Sequence, residues 1–258
     1  MFWPKVDTET SDLGFLTRQP YAHRGLYDAE RGIPENSMVA FDRAIARGYG
    51  IELDVRMTRD GDVVVFHDPN LDRMTSSKGQ VSQMSWQQLR GVRLKGSMET
   101  LQTLHDMLLH IRGRVPVLIE VKATQNKYLP ACFAVRRALE GYRGKAAVMS
   151  FHPGVPGWFA EHAPKIVRGL VMTESESRPL SPYNVRKRLR RQLLVWKAQP
   201  HFIAFDIRRL PSSFIAAARA RGVKTLTWTV RGEAAHALAA RCADQVIFEG
   251  ELPASAAA

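Results

Sequence analysis

Two apolar segments carry carboxylates at a spacing that could bind a cation. Glu52 and Asp54 are two residues apart in "IELDV", and Glu120 precedes Lys122 by two in "VPVLIEVK". Successive side chains of a β-strand point to opposite faces, so residues two apart share one face. Two close carboxylates repel each other unless a cation or a shared proton lies between them. Carboxylate oxygens are hard ligands, so the pattern predicts a site for one divalent cation, Mg²⁺ or Ca²⁺.

Two histidines and two cations could complete a catalytic site. His23-Arg24 ends the first apolar run, and His67 follows the run "DVVVF". Imidazoles can serve as general acid and general base near neutral pH. Arg24 and Lys122 supply positive charge for an anion such as phosphate. A metal, two imidazoles and two cations together indicate a site that cleaves a phosphate ester.

A hairpin is predicted to bring His67 to the carboxylates. Asp60-Gly61 lies between two apolar runs and is a strong hairpin signal, since Gly adopts positive φ easily. A turn centred between these two residues pairs Asp54 with His67. The alternative is a solvent-facing strand with ordinary surface charge. The apolar residues that alternate with the acids favour the buried arrangement.

Short apolar runs alternate with helical patterns along the chain. We predict strands near residues 21, 52, 118, 148, 169, 204, 227 and 247, and helices over 37–50, 99–111, 127–142, 154–163, 182–197, 211–222 and 231–242. This alternation favours an α/β protein with a parallel sheet, and eight units favour a closed (β/α)8 TIM barrel with a β-hairpin and irregular insertion after strand 2. An open doubly wound sheet is the runner-up, but "AHRGLYDAERG" does not resemble its Gly-rich phosphate loop.

The 258 residues are long enough for one large α/β domain. We expect a single domain over 1–258, with a core of about residues 20–250 and an insertion of about 56–98. The first 19 residues are expected to take the place of a full eighth helix, since only "ELPASAAA" follows the last strand.

The chain is basic, with 37 Lys and Arg against 25 Asp and Glu. The densest run is "VRKRLRRQ" (185–192), which we interpret as a solvated helix face. Nucleic-acid binding is disfavoured because no aromatic residues interleave this run. A weak contact with a membrane surface stays open as an alternative.

The remaining bulk features concern location. Cys132 and Cys242 form no spacing motif, which favours free thiols in a reducing cytoplasm. We expect no signal peptide, and no stretch approaches the roughly 20 apolar residues of a transmembrane span. The sequence does not indicate an oligomeric state.

Several motifs in order resemble the glycerophosphodiester phosphodiesterases, TIM-barrel enzymes of the phospholipase-C-like superfamily. The matching pieces are "AHRG", "PENS", "IELDV", "DGDVVVFHD", "LDRMTSSKG", "IEVK", "SF", "AFD" and "WTV". The resemblance covers about residues 20–250. It departs in "SMETLQTL", which replaces the usual helix entry, and in "FEGEL" after the last strand, which puts the mouth near strand eight in doubt.

The resemblance implies an activity and residue roles. Such enzymes hydrolyse glycerophosphodiesters to glycerol 3-phosphate and an alcohol. The metal ligands would be Glu52, Asp54 and Glu120, the acid–base pair His23 and His67, and the phosphate contacts Arg24 and Lys122. A glycerol hydroxyl would attack phosphorus first, and water would then open the cyclic phosphodiester. The resemblance does not say which histidine is the acid in the first step.

Other residues receive smaller roles. We interpret Asn36 as a helix cap that also positions the site, and Asp68 as a residue that orients His67 or closes the turn. Trp228 is either a core aromatic or a wall for the glycerol moiety of the substrate. Asp206 counts among the charged residues at strand ends, whereas His105, His152 and His201 are expected to be structural.

Two further functions compete with this one. The first is a lysophospholipid or inositol phosphodiesterase acting at a membrane surface. The second is a non-catalytic barrel that binds glycerophosphodiesters. The presence of both His23 and His67 argues against a pure binder, which has no need for an acid and a base.

Overall fold

Each of the eight predicted strands is present in the part of the chain that the structure describes. A computed structural model describes residues 12–123, 128–173 and 182–253. The strands are β1 (Tyr21–His23), β2 (Gly50–Met57), β3 (Val63–Val65), β4 (Val117–Val121), β5 (Ala146–Ser150), β6 (Val167–Met172), β7 (Phe202–Asp206), β8 (Lys224–Val230) and β9 (Gln245–Phe248). Of these, β3 is the additional short return arm of the hairpin.

The predicted helices are present, with shorter bounds at several ends. The α-helices among the described residues are α1 (Phe15–Arg18), α2 (Met38–Ala46), α3 (Trp86–Leu89), α4 (Leu104–Ile111), α5 (Tyr128–Leu139), α6 (Gly154–His162), α7 (Pro182–Ala198), α8 (Ser213–Arg219) and α9 (Gly232–Cys242), and of these the short α1 and α3 were not predicted. The helix predicted from residue 99 begins only at Leu104, because Thr103 Oγ1 accepts a hydrogen bond from Asp106 N as an N-cap. Ser212 caps α8 in the same way, through Ile215 N.

The chain divides into two units, residues 19–147 and the remaining residues. In the first unit, β2 is the central strand and pairs in parallel with β1 and β4. The pairing places His23 beside Glu52 and Asp54 beside Glu120. Three candidate carboxylates and one candidate histidine therefore share neighbouring positions on three adjacent strands.

The predicted hairpin exists, but its predicted register was wrong by one residue. Val55 pairs with Val65 and Met57 with Val63, so Asp54 lies opposite Phe66 rather than His67. Thr58 N donates to Asp62 O, which leaves a three-residue loop with Gly61 at φ +91°. A loop of this kind adds one residue to the two-residue turn that the Asp-Gly pair suggested.

The segment that follows β3 buries apolar side chains of its own. Leu71, Val81, Leu89 and Leu94 pack in one cluster with Val64 of β3 and neighbouring apolar residues. The insertion is thus fastened to the hairpin through a small core. Leu71 of this core anchors residues 67–73, which carry His67, Asp68 and Arg73.

The second unit is built on the four parallel strands β6 to β9. Helix α1 belongs to this unit and buries Leu16, while Gln245 Nε2 of β9 donates to Thr17 O. The early residues thus contact the last strands, as expected. Among the described residues, no helix combines the length and hydropathy that crossing a bilayer requires. Cys132 and Cys242 are both free thiols, as predicted.

Candidate active site

The carboxylates of β2 and β4 converge as their spacing predicts. Ligand oxygens of Glu52, Asp54 and Glu120 all lie within 4.8 Å of one another. All three residues are buried. Glu52 and Asp54 share a face of β2, and the parallel register sets Glu120 of β4 directly beside Asp54. Such a cluster is unfavourable for ionised carboxylates without compensating positive charge.

The protein supplies part of that positive charge through Lys122. Its Nζ lies 2.8 Å from Asp54 Oδ1 and 2.5 Å from Glu120 Oε1. Burial by itself would raise the pKa of Asp54, but the Lys122 and Arg24 cations outweigh burial and lower it. Asp54 is therefore a carboxylate that stays ionised.

Glu52 is in the opposite electrostatic position. Burial, reinforced by the neighbouring Asp54 carboxylate, raises the pKa of Glu52 to about 8. Its Oε2 accepts a hydrogen bond from Arg24 N at 3.1 Å, but its buried Oε1 has no hydrogen-bond partner among the described residues. An unpartnered buried carboxylate oxygen beside two further carboxylates fits a hard divalent cation, which would satisfy that oxygen.

The turn after β1 aims His23 and Arg24 at this cluster. His23 Nε2 lies 3.8 Å from Glu52 Oε2. Arg24 and Gly25 both have positive φ, 58° and 78°. A Cβ on Gly25 would lie 2.7 Å from the Phe41 ring, so both the conformation and the space require glycine. This turn directs the Arg24 N–H to Glu52.

The Arg24 guanidinium makes two ion pairs with carboxylates. Its Nε lies 3.1 Å from Asp54 Oδ2 and its Nη1 lies 2.9 Å from Glu35 Oε1. Both contacts hold the guanidinium beside the carboxylate cluster. The guanidinium is thereby held where it could meet an anion bound at the cluster.

Asn36 positions Asp54, but its predicted role as a helix cap was wrong. The cap of α2 is Ser37, whose hydroxyl accepts from Ala40 N. Asn36 adopts φ +57°, a conformation that Asn tolerates better than most residues. Its Nδ2 donates to Asp54 Oδ2 at 3.1 Å, and its Oδ1 accepts from Asp54 N at 3.3 Å. The left-handed backbone thus turns the amide toward β2 instead of toward the helix.

His67 is oriented by its neighbour in the chain. Its Nδ1 lies 2.6 Å from Asp68 Oδ1, so the carboxylate favours the tautomer with the proton on Nδ1. The other nitrogen, Nε2, is then the basic one. Burial lowers the pKa of His67, against the attraction of the Asp54 carboxylate. Arg56 Nε donates to His67 O at 2.6 Å and fixes the backbone at this point.

Arg73 was not singled out from the sequence, yet it joins two parts of the site. Its guanidinium binds Asp68 through Nε and Nη2, at 2.5 and 3.1 Å. It also binds both oxygens of Glu35, at 2.7 and 3.0 Å. Glu35 in turn holds Arg24. A chain of ion pairs therefore runs from His67 through Asp68, Arg73 and Glu35 to Arg24.

No local pattern indicated this role for Arg73. The residue lies in the irregular segment after β3, where neither strand nor helix periodicity predicts a direction for the side chain. The signal that could have found it is its place in "LDRMTSSKG", one of the pieces that carried the family resemblance.

Two predicted strand-end residues lie in the other unit. Trp228 of β8 donates its Nε1–H to Ala204 O at 3.1 Å and contacts Phe151 edge-on, with ring centroids 5.5 Å apart. Asp206 at the end of β7 accepts from Thr173 Oγ1 and from Arg208 N, and it caps a short 3-10 turn. Helix-end capping accounts for the burial of Asp206 without a catalytic role.

Comparisons with known sequences agree on one family. The sequence model described as "Glycerophosphoryl diester phosphodiesterase family" matches residues 23–248. A glycerophosphodiester phosphodiesterase of Bacillus altitudinis is 33% identical over 157 residues, which cover 57% of this chain and 63% of that protein. One of Caldanaerobacter subterraneus is 36% identical over 110 residues, 40% of this chain and 44% of that protein. The matches span less than two thirds of these relatives.

Comparisons with solved structures show the fold. A phosphodiesterase from Oleispira antarctica, solved in complex with the product sn-glycerol-3-phosphate, superposes with a TM-score of 0.76 at 21% identity, over 91% of this chain and 93% of that one. A glycerophosphodiester phosphodiesterase from Agrobacterium tumefaciens gives a TM-score of 0.65 at 27% identity, over 89% and 95%. With the eight strands and intervening helices described above, this likeness confirms the predicted (β/α)8 TIM-barrel fold class.

Proposed function

Because the chain belongs to the glycerophosphoryl diester phosphodiesterase family, we propose that it hydrolyses glycerophosphodiesters to glycerol 3-phosphate and an alcohol. The observation that carries the proposal is the buried cluster of Glu52, Asp54 and Glu120, with the unpartnered Oε1 of Glu52 inside it. We assign to this cluster one divalent cation, Mg²⁺ or Ca²⁺. When bound, the cation would orient the glycerol hydroxyls and lower their pKa.

In the proposed reaction His23 and His67 move the protons. A glycerol hydroxyl attacks phosphorus, and one histidine takes its proton as the new O–P bond forms. The other histidine gives a proton to the leaving alcohol as the old O–P bond breaks, which leaves a cyclic phosphodiester. The two histidines then exchange roles while water opens the ring and yields glycerol 3-phosphate. Either histidine can serve as the first base.

The contacts of His67 support a part in this proton transfer. Asp68 holds the Nδ1–H, so Nε2 is the nitrogen that would accept and return the proton. The pKa of His67 is lowered by burial, which keeps the imidazole neutral near pH 7 and so able to accept a proton. Asp68 also stabilises the imidazolium that forms after proton transfer.

Arg24 and Lys122 are the proposed phosphate contacts. Ion pairs with Asp54 hold both side chains beside the carboxylate cluster, where the phosphate would bind next to the metal. Two preorganised cations would offset the charge that develops on the phosphate oxygens. Trp228 is retained as a proposed wall for the glycerol moiety.

A cavity beside Lys122 could receive the head group of the substrate, the part released as the alcohol. It measures about 630 Å³ and is also lined by Arg56, Arg59, Gln80 and Gln83. The lining also includes the apolar Met57, Pro69 and Ala131, and the cationic and amide side chains supply the groups that could hydrogen-bond a polar head group. This lining supports, as a second candidate, the hydrolysis of inositol phosphodiesters.

The location of the protein belongs to the proposal as well. The two free thiols, Cys132 and Cys242, support a reducing cytoplasm. A small-molecule glycerophosphodiester is the proposed partner and nucleic acid is not. Two alternatives remain if the following test fails. They are the hydrolysis of lysophospholipids at a membrane surface and binding of glycerophosphodiesters without catalysis.

The test is glycerol 3-phosphate release from glycerophosphocholine, glycerophosphoethanolamine and glycerophosphoinositol, with Mg²⁺ or Ca²⁺. We expect release by the wild type and a loss of about 10²–10⁴-fold in His67→Ala. His105→Ala, which changes an exposed histidine of α4, is the matched control and should keep the wild-type rate. Absence of release from every diester by folded wild type would contradict the proposal.

A modified substrate tests the order of the two steps. Glycerophosphocholine methylated on the glycerol 2-hydroxyl lacks the proposed internal nucleophile. We expect it to bind and to resist hydrolysis. Hydrolysis at the normal rate would mean that water attacks phosphorus directly.

A further inference from the structure

Helix α7 exposes a row of large apolar side chains. Leu189, Leu193 and Trp196 have 59%, 64% and 66% of their surface exposed. Their spacing of four and three residues sets them along one face of the helix. Val195 and Ala198, on the opposite side, are buried. The apolar row is therefore separate from the side of α7 that packs on the protein.

A basic row runs beside the apolar one. Arg186, Arg190 and Lys197 are exposed and follow each other at helical spacing next to the apolar face. The helix contains no acidic residue between Pro182 and Ala198. Arg191, by contrast, lies over the Phe214 ring at 5.0 Å and belongs to the packed side. The exposed face of α7 thus combines apolar side chains with positive charge that no acidic residue of the helix itself balances.

We propose that this face of α7 binds the surface of an anionic lipid bilayer. The three apolar side chains would enter the boundary between head groups and acyl chains, and the basic row would meet the lipid phosphates. Long basic side chains can extend to the phosphate level while their methylene groups follow the apolar surface. One such helix gives reversible binding. This proposal concerns attachment and does not rest on the proposed reaction.

The charge pattern disfavours the other occupants. A second copy bound through the same face would bring two basic rows together, because a two-fold interface uses the same surface twice. A nucleic acid would meet the basic row but would leave Leu189 and Leu193 in water, since phosphates and sugars offer no apolar surface to cover them. Of these three occupants, a lipid surface is the one that contacts both rows.

Co-sedimentation of the full chain with vesicles tests the proposal. One vesicle is an equimolar mixture of phosphatidylglycerol and phosphatidylcholine, and the other is pure phosphatidylcholine. Three variants are compared with the wild type: Leu193→Ser/Trp196→Ser, Arg186→Gln/Arg190→Gln, and Leu109→Ser. Leu109 of α4 is the control because it is likewise a large apolar side chain exposed on a helix, at 59% against 64% for Leu193, but lies outside α7. Hydrolysis of a soluble glycerophosphodiester, measured in parallel, should stay unchanged in all three.

The wild type should bind the anionic vesicles and bind pure phosphatidylcholine far less. Each double variant on α7 should reduce the partition coefficient by about tenfold or more, through lost apolar burial or lost charge. Leu109→Ser should stay within about twofold of the wild type. Raising NaCl from about 0.1 M to about 1 M, which shortens the screening length from about 10 Å to about 3 Å, should weaken binding.

Three results would overturn the proposal. The first is wild-type protein that does not sediment with anionic vesicles. The second is a Leu193→Ser/Trp196→Ser variant that binds them like the wild type, because charge alone would then explain the attachment. The third is single-stranded DNA that binds to the same face, displaces the vesicles and is bound equally by the apolar variant.

Discussion

Asp54 and Asp206 look alike in the sequence and differ in the structure. Each ends or nears the end of a parallel strand, and each is buried, with 0% and 1% of the side chain exposed. Asp206 accepts hydrogen bonds from Thr173 Oγ1, Arg208 N and the Arg208 guanidinium. Asp54 shares its space with Glu52 and Glu120.

The difference separates a structural carboxylate from a candidate functional one. The pKa of Asp206 is lowered because its hydrogen bonds to Arg208 and Thr173 outweigh burial. Arg208 lies two residues along the chain, and Thr173 follows the end of the neighbouring strand β6. Asp54 is ionised beside two other carboxylates, Glu52 and Glu120. One oxygen of this cluster, Glu52 Oε1, has no hydrogen-bond partner among the described residues. Burial alone therefore does not mark a site. A cluster of several carboxylates within a few ångströms is a better indication of a functional site.

The largest effect is expected from Asp54→Asn. The change removes a proposed metal ligand and the common partner of Lys122 and Arg24. We expect kcat for glycerophosphodiester hydrolysis to fall by about 10²–10³-fold or more. Asp206→Asn is the matched change in the comparison and should keep kcat within about threefold. An equal fall in kcat in the two variants would contradict the conclusion that Asp54 is functional and Asp206 structural.

Arg73→Ala is expected to have the next largest effect. Without Arg73 the Asp68 carboxylate loses its bidentate partner, and so does Glu35, which orients Arg24. We expect kcat to fall about 10–100-fold, a range usual for residues that orient groups of a site. Arg73→Lys should recover only part of the rate, because an ammonium cannot bind both carboxylates with a planar fork.

The pH profile distinguishes a positioning role of Arg73 from a general loss of folding. Arg73→Ala should displace the limb of the kcat/KM profile that belongs to His67, since Asp68 is then less firmly held against Nδ1. A fall in rate with an unchanged profile and a lower Tm would argue that Arg73 only stabilises the fold.

Much of this arrangement follows from the sequence, and part of it does not. The period of two along β2 predicted that Glu52 and Asp54 share a face, because strand geometry is local. The pairs of Asn36 with Asp54 and of Arg73 with Glu35 join residues 18 and 38 positions apart. No local pattern encodes those partners. The hairpin register was missed for a related reason: the Asp-Gly signal does not fix whether the loop has two residues or three.

For the free energy of unfolding, Asp206 is expected to matter although it is not expected to matter for kcat. Asp206→Asn removes charge-assisted hydrogen bonds from Thr173 and Arg208, and we expect a cost of about 1–3 kcal/mol in the free energy of unfolding. For a chain of this size that corresponds to a fall in Tm of about 2–10 °C. Thermal unfolding followed by circular dichroism in EDTA measures it. An unchanged Tm would mean that the cap contributes nothing.

The smallest expected effect is an increase in Tm, in contrast to the decrease expected for Asp206→Asn. Glu52→Gln should raise Tm in EDTA by about 2–4 °C near pH 8, because burial and Asp54 make an ionised Glu52 unfavourable in the folded state. The pKa of Glu52 is raised on folding, so ionisation costs stability as pH increases. The gain should be absent below the ordinary pKa of 4.5 and should grow until about pH 8. A Tm below that of the wild type at pH 8 would contradict this electrostatic description.

The most direct measurement is the metal dependence of glycerol 3-phosphate release from glycerophosphocholine. Wild type, Glu52→Gln and Asp206→Asn are each depleted with EDTA and then supplied with Mg²⁺ or Ca²⁺. If the cluster of Glu52, Asp54 and Glu120 holds a catalytic cation, depletion abolishes release in all three. Metal then restores it in the wild type and Asp206→Asn but not in Glu52→Gln. Full activity of metal-depleted wild type, or equal recovery of Glu52→Gln, would contradict the account.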